Sequence, residues 1–80
     1  MQLTILTFGI ARDIVGGNEF DVEISEGTDV AGLKSFLMQK YPEFKKLASF
    51  AIAVDEAYRE DSFVLKAGSE VVIIPPVSGG

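Results

Sequence analysis

The residues with the most evident chemical potential lie at the end of the sequence, where the apolar run "VVII" is followed by "PPVSGG". Gly79 and Gly80 have no Cβ atoms, so this segment is thin enough to enter a narrow channel. The reactive group that such a segment offers is the α-carboxylate of Gly80. The chemistry predicted for this end of the chain is therefore main-chain chemistry at a carboxylate.

A carboxylate is a poor acyl donor because its leaving group would be oxide. Conversion to an acyl adenylate, followed by capture with a sulfur nucleophile, gives a thioester or a thiocarboxylate whose sulfur can be passed on. A terminal Gly-Gly can also be an unstructured end. The residues before it favour a presented tail, because Pro75 and Pro76 disfavour further strand pairing and begin a stiff stem that continues through Val77 and Ser78.

The composition argues against a self-contained enzyme. The chain has no cysteine and no histidine, so it cannot build a disulfide, a zinc site of the usual ligands, a cysteine nucleophile or a histidine general base. We expect a protein that is not catalytic alone, binds no metal or cofactor, and is acted on by other enzymes.

The charge balance bears on partners and location. Seven Lys and Arg against twelve Asp and Glu give a net charge of −5, the wrong sign for binding a phosphate backbone. No stretch is apolar enough to span a membrane and no leader pattern is present. We expect a cytoplasmic protein with no nucleic-acid or membrane partner, and an acidic surface suited to a basic protein.

The elements that must hold the tail are predicted from hydrophobic periodicity. The run "MQLTILTF" predicts an interior strand, and "EFDVEI" alternates strictly and predicts a half-buried strand with an acidic outer face. Between them, "GIARDIVGG" predicts one or two helical turns that stop at the glycines. Further strands are predicted at "FAIAV" and "EVVII", with a short extended piece at "YRED" in which Tyr58 is expected to be half-buried.

One substantial helix is predicted after the turn "SEG". Thr28 is the predicted cap, Asp29 complements the positive end of the helix, and Pro42 ends it. Its apolar stripe consists of Val30, Leu33, Leu37 and Tyr41. Gly32 costs about 1 kcal/mol relative to alanine inside a helix, which is tolerable if a close contact needs the space.

This order of elements predicts an α+β fold. It is a roll in which one main helix covers one face of a mixed sheet of about five strands, with the first and last strands as possible parallel neighbours. Residues 1–80 are predicted to form a single domain with an extended tail at 75–80.

The last strand has apolar residues on both faces, since Val71 and Ile73 point one way and Val72 and Ile74 the other. A central strand covered on both sides would explain this pattern. A single main helix covers only one face, however, and the uncovered face, with Phe8 contributing, is then a candidate protein interface.

Two charged features also have two interpretations. Arg12 either pairs with acidic groups on the chain's own surface or meets an acidic group on a partner. The alternating Glu19, Asp21 and Glu23 form either a solvated face or a surface that docks on a basic groove.

The tail motif also carries a resemblance. "GSEVVIIPPVSGG" resembles the C-terminal signature of the small, sulfur-carrying subunits of molybdopterin synthase, the MoaD-type sulfur carriers. "FGIARDIVG" and "FAIAVDEAY" are similar to two further motifs of that family, with Asp13 in place of the usual Glu and Asp55 in place of the common Asn.

The resemblance implies a ubiquitin-like β-grasp fold and a set of partners. It implies that the Gly80 carboxylate is adenylated by an adenylyltransferase of the ubiquitin-activating type, which uses ATP and Mg²⁺. A sulfur donor such as a cysteine desulfurase system then makes the thiocarboxylate, a 1-thioglycine.

The same resemblance implies where the sulfur goes. The tail enters the large subunit of a heterotetrameric synthase, and sulfur passes to cyclic pyranopterin monophosphate to form the molybdopterin dithiolene. Gly80 then bears the sulfur, and the tail in the partner's tunnel comprises Pro75, Pro76, Val77, Ser78 and Gly79. The predicted partner interface comprises Phe8, Arg12, Ile74 and Val77.

Other functions stay open at this point. A related carrier could serve thiamine thiazole or cysteine synthesis, and a ubiquitin-like modifier would be conjugated through Gly80 to lysines of other proteins. A structural module whose tail is idle would keep its activity without Gly79 and Gly80.

Overall fold

In the computed structural model, which describes residues 1–47 and 50–76, the predicted order of strands and helices is confirmed. The elements are β1 (Gln2–Leu6), α1 (Gly9–Val15), β2 (Glu19–Glu23), α2 (Val30–Lys40), a 3₁₀ helix (Pro42–Lys46), β3 (Ala51–Val54), β4 (Ala57–Tyr58) and β5 (Glu70–Ile74). The weakly predicted piece at "YRED" is shorter than expected, since β4 ends at Tyr58.

The strands form one mixed sheet in the order β2-β1-β5-β3-β4. β1 and β5 are parallel neighbours, and the other pairs are antiparallel. The predicted interior positions of the first and last strands are therefore confirmed. β5, which leads into the tail, lies in the middle of the sheet and is hydrogen-bonded on both sides.

The core lies between one face of the sheet and the helices. Strand alternation sends Leu3, Ile5, Val71 and Ile73 to this inner face, where each is almost completely buried. The buried stripe of α2 packs against them, and so does Ala11 of α1. Both helices thus cover the same face, as the predicted α+β roll requires.

The start of α2 corrects the predicted cap. Asp29, not Thr28, is the N-cap, because its extended backbone lets Oδ1 accept a hydrogen bond from the Gly32 N–H at 2.8 Å. The Thr28 hydroxyl instead donates to the Ser25 carbonyl at 2.7 Å. The same contacts explain Gly32, since a methyl group there would lie only 2.9 Å from Cγ2 of Thr28.

The turn between β3 and β4 holds two residues in the left-handed region, Asp55 at φ 50° and Glu56 at φ 71°. Asp55 is tied to the first residue of β5: its N–H donates to the Glu70 carbonyl at 2.9 Å, and its Oδ1 accepts from the Glu70 N–H at 3.0 Å. These bonds hold Asp55 in the left-handed region, which aspartate tolerates better than most residues. Glutamate has no comparable tendency toward this region, so Glu56 is the strained residue of the turn.

Replacing Glu56 by glycine is therefore expected to stabilise the domain by about 0.5–1 kcal/mol, because relief of the left-handed strain exceeds the entropy that glycine adds to the unfolded chain. Urea unfolding measures the change. Glu26→Gly is the control, since Glu26 is also exposed in a turn but has no positive φ, and it should lower stability. Equal effects in the two variants would contradict the strain at Glu56.

No helix in the described part of the chain combines the length and apolarity needed to cross a membrane.

Candidate functional site

The candidate site is the edge of the sheet where β5 ends. Ile74 is the last residue of the strand and pairs with Ala51 of β3, and Pro75 and Pro76 follow outside any element. The prediction that pairing ends at the prolines is confirmed. Val77, Ser78, Gly79 and Gly80, predicted as the tail and its reactive end, lie outside the described residues.

The neighbouring strand ends at the same edge, because parallel strands run in the same direction. Leu6, the last residue of β1, is in register with Val72 of β5. Continuing that register past the ends of both strands brings the β1–α1 turn beside Pro75 and Pro76, which we call the tail root. The turn residue Phe8 is extended, with φ −154° and ψ 169°, so the strand alternation continues through it.

The outer face of the sheet has an apolar region next to the tail root. We call Leu6, Phe8, Ala51, Val72 and Ile74 the outer patch; all are on the face opposite the core, and none is fully buried. Phe8 is the most prominent member, with 48% of its surface exposed. No described helix covers this face, so the predicted uncovered face of β5 is present.

The sequence prediction named Phe8 and Ile74 for the interface and placed Val72 on the same face of β5 as Ile74, but it did not name Leu6 or Ala51. The period-2 alternation could have found Leu6, because it has the same parity as Phe8 in one continuous strand. Ala51 needed the tertiary structure, since only the β3–β5 register places it opposite Ile74.

Acidic residues border the outer patch on its β2 side and at the end away from the tail. Glu19 of β2 is in register with Leu6, while Asp21 and Glu70 flank Thr4 on either side. Thr4 Oγ1 donates to Asp21 Oδ1 at 2.8 Å. Within residues 1–47 and 50–76, no three carboxylates converge as a metal site would require.

Arg12 is exposed on α1, one helical turn after Phe8, and its N–H donates to the Phe8 carbonyl at 3.4 Å. The ion pairs found among the described residues join Met1 with Glu23 and Lys34 with Asp61. Pairing of Arg12 with the chain's own described acidic face is therefore not observed. Its side chain is exposed, so the alternative in which it meets an acidic group on a partner stays open.

Tyr58 corrects a smaller expectation. The sequence suggested a half-buried tyrosine, but β4 is an edge strand and Tyr58 is 71% exposed. It lies on the outer face in register with Ala53, which pairs with Val72. Tyr58 therefore extends the apolar face toward the sheet edge.

The fold and the site together define a ubiquitin-like β-grasp domain that presents its C-terminal segment from a central strand, beside an uncovered apolar face. The family model described as the ThiS family matches residues 5–80. The chain belongs to the ThiS family.

Individual relatives agree with this assignment. The chain is 36% identical to the molybdopterin synthase sulfur carrier subunit of Caenorhabditis briggsae, over 100% of this chain and 99% of that protein. A solved structure of a putative molybdopterin converting factor subunit 1 from Pyrococcus furiosus has a TM-score of 0.87 at 27% identity, covering 96% of this chain and 99% of the other.

A second solved structure contains a partner. It is a complex of subunits 1 and 2 of the molybdopterin converting factor from Helicobacter pylori, and one of its chains matches this chain with a TM-score of 0.67 at 25% identity, covering 100% of each.

Proposed function

We propose that this protein is the sulfur carrier subunit of a molybdopterin synthase, and that it carries sulfur as a thiocarboxylate on Gly80. The observation that carries the proposal is the placement of the tail root. Pro75 and Pro76 leave the end of a central, doubly bonded strand beside the outer patch, and the sequence continues from them to the thin Gly-Gly segment. The names of the matched relatives support the same role.

The first step of the proposed mechanism is activation of the Gly80 carboxylate. An adenylyltransferase of the ubiquitin-activating type uses ATP and Mg²⁺ to form the acyl adenylate, with release of pyrophosphate. The persulfide of a sulfur donor such as a cysteine desulfurase system then displaces AMP to give an acyl disulfide, and a thiol of the donor system reduces this disulfide and releases the thiocarboxylate. The side chains for these steps come from the enzymes, because this chain has no cysteine or histidine.

The second step is delivery to a large subunit within a heterotetramer. We propose that the tail, Pro75 to Gly80, enters a tunnel of that subunit while the outer patch docks on its surface. The Helicobacter pylori complex of subunits 1 and 2 supports a partner of this kind. Sulfur then passes to cyclic pyranopterin monophosphate to form the molybdopterin dithiolene.

The chemistry of the surface suggests what the partner should present. The outer patch requires an apolar counterpart, and its border of Glu19, Asp21 and Glu70 favours basic residues around it. We further propose that Arg12, which is exposed one helical turn after Phe8, meets a carboxylate of the partner. We propose that this encounter occurs in the cytoplasm and involves neither a membrane nor nucleic acid.

The test is intact-mass spectrometry of the protein after incubation with the activating enzyme of its own genome, ATP, Mg²⁺ and a sulfide source. The expected result is a mass gain equal to the exchange of one oxygen for one sulfur, localised to Gly80 by fragmentation. No gain, with an enzyme that modifies a known carrier in parallel, would contradict the proposal.

Incubating the product with the large subunit and cyclic pyranopterin monophosphate, and in parallel with lysine-bearing proteins, separates the alternative functions by their acceptors. A sulfur carrier for thiamine thiazole or cysteine synthesis would gain the sulfur but would not support dithiolene formation with the large subunit. A ubiquitin-like modifier would instead form adducts of higher mass through isopeptide bonds to lysines.

A further inference from the structure

We propose that Gly9 is a positioning residue for the tail: its left-handed backbone sets the β1–α1 turn against Pro75 and so fixes the direction in which the tail leaves the sheet. The inference rests on the function proposed above, because the direction of the tail matters for activity only if the tail must enter an enzyme's channel.

The backbone of Gly9 is the first part of the argument. Gly9 is the first residue of α1 and has φ +59°, directly after the extended Phe8. Residues with a side chain rarely adopt such a value, whereas glycine does so without a steric penalty. This turn can therefore have its present shape only with glycine at this position, or with strain.

The contact with the tail root is the second part. A methyl group built on Gly9 would lie 3.6 Å from Cγ of Pro75, which is an ordinary van der Waals distance. Space alone would thus admit alanine, and the constraint at Gly9 is conformational. An alanine that relaxed to negative φ would rotate the turn, which lies beside the Pro75 ring.

The surroundings leave little room to absorb such a rotation elsewhere. On one side of Gly9, the Thr7 N–H donates to the Asn18 carbonyl at 2.8 Å. On the other side, Ala11 is completely buried in the core. Because the chain is anchored on both sides, we expect a change at Gly9 to displace Pro75, whose ring is the group that an added methyl would meet.

The test compares Gly9→Ala with Gly27→Ala. Gly27 has φ +88° and no atom within 4 Å of an added methyl group, so its substitution introduces the same kind of strain at a turn remote from the tail. Both variants are expected to unfold at a lower temperature. The readout that separates them is the steady-state kinetics of thiocarboxylate formation with the carrier as the varied substrate.

Gly9→Ala is expected to raise KM for the carrier about tenfold with kcat unchanged, because apparent affinity falls in proportion to the fraction of molecules whose tail is correctly directed. Gly27→Ala should keep the wild-type KM. In a Pro75→Ala background, Gly9→Ala should add little further increase in KM, because both substitutions disturb the same packing between residues 9 and 75. Equal KM values for Gly9→Ala and Gly27→Ala would overturn the inference.

A measurement without any enzyme keeps this test separate from the test of function. The ¹³C and ¹H chemical shifts of Pro75 and Pro76 should change in Gly9→Ala and stay unchanged in Gly27→Ala. Unchanged proline shifts in Gly9→Ala would overturn the positioning role. If the wild-type protein acquires no sulfur, the proposed function fails, and the proline shifts still decide whether Gly9 positions the tail.

Discussion

Adding one alanine after Gly80 is expected to slow sulfur acquisition about a hundredfold or more while leaving the domain folded. One extra residue moves the terminal carboxylate by about 3.5 Å, and a misplacement of about 1 Å at a reacting centre can already cost about a hundredfold in rate. The rate is measured by intact-mass spectrometry, and folding by urea unfolding, which should match that of the wild type.

The matched control inserts the same residue where it should not matter. An alanine inserted after Ala67 lengthens the exposed loop before β5, where insertions are well tolerated. This variant is expected to acquire sulfur at close to the wild-type rate. If the chain extended beyond Gly80 reacts as fast as this control, the carboxylate of Gly80 is not the group delivered to the enzyme.

Truncating Phe8 is expected to have the second largest effect, on binding to the large subunit. Phe8 is the most exposed member of the outer patch, and aromatic side chains at the centre of an interface commonly contribute about 2 kcal/mol, which corresponds to about 30-fold in Kd. Isothermal titration calorimetry with the large subunit should show Phe8→Ala binding about 30-fold more weakly.

Val64→Ala is the control for this measurement, because Val64 and Phe8 are both 48% exposed. Val64 lies outside the sheet, where it forms a single bridge with Asp29 at the start of α2. Its truncation should leave Kd unchanged, and neither variant should lose much stability. Similar Kd values for the two variants would show that the outer patch is not the docking surface.

Much of the fold was predictable because local patterns and tertiary packing agree. The strict alternation of "EFDVEI" identified a half-buried strand, and Gly16 ends α1 in the left-handed conformation at φ 83°, as the paired glycines predicted. The parallel neighbours β1 and β5 followed from two apolar strands with a helix between them. In each case the signal depends only on residues close in sequence, or on the chain's order of elements.

Two predictions were wrong. One concerned which of two neighbouring residues caps α2, and the other concerned how exposed Tyr58 is in the sheet. Thr28 and Asp29 are both good caps, and the hydrogen bonds of residues 63–65 to residues 28–30 decide that the helix begins after Asp29. Tyr58 is exposed because β4 is the outermost strand. Neither result can be obtained from propensity, since both depend on which segments meet across the sheet.

The candidate site divides in the same way. The sequence by itself determined the residue types of the tail and their backbone tendencies, because proline and glycine have the same conformational preferences in any fold. It also determined that the chain supplies no cysteine or histidine for the reaction. Only the tertiary structure decided what surrounds the tail root: the outer patch and the turn at Gly9 meet there because β1 and β5 are parallel and end at one edge of the sheet.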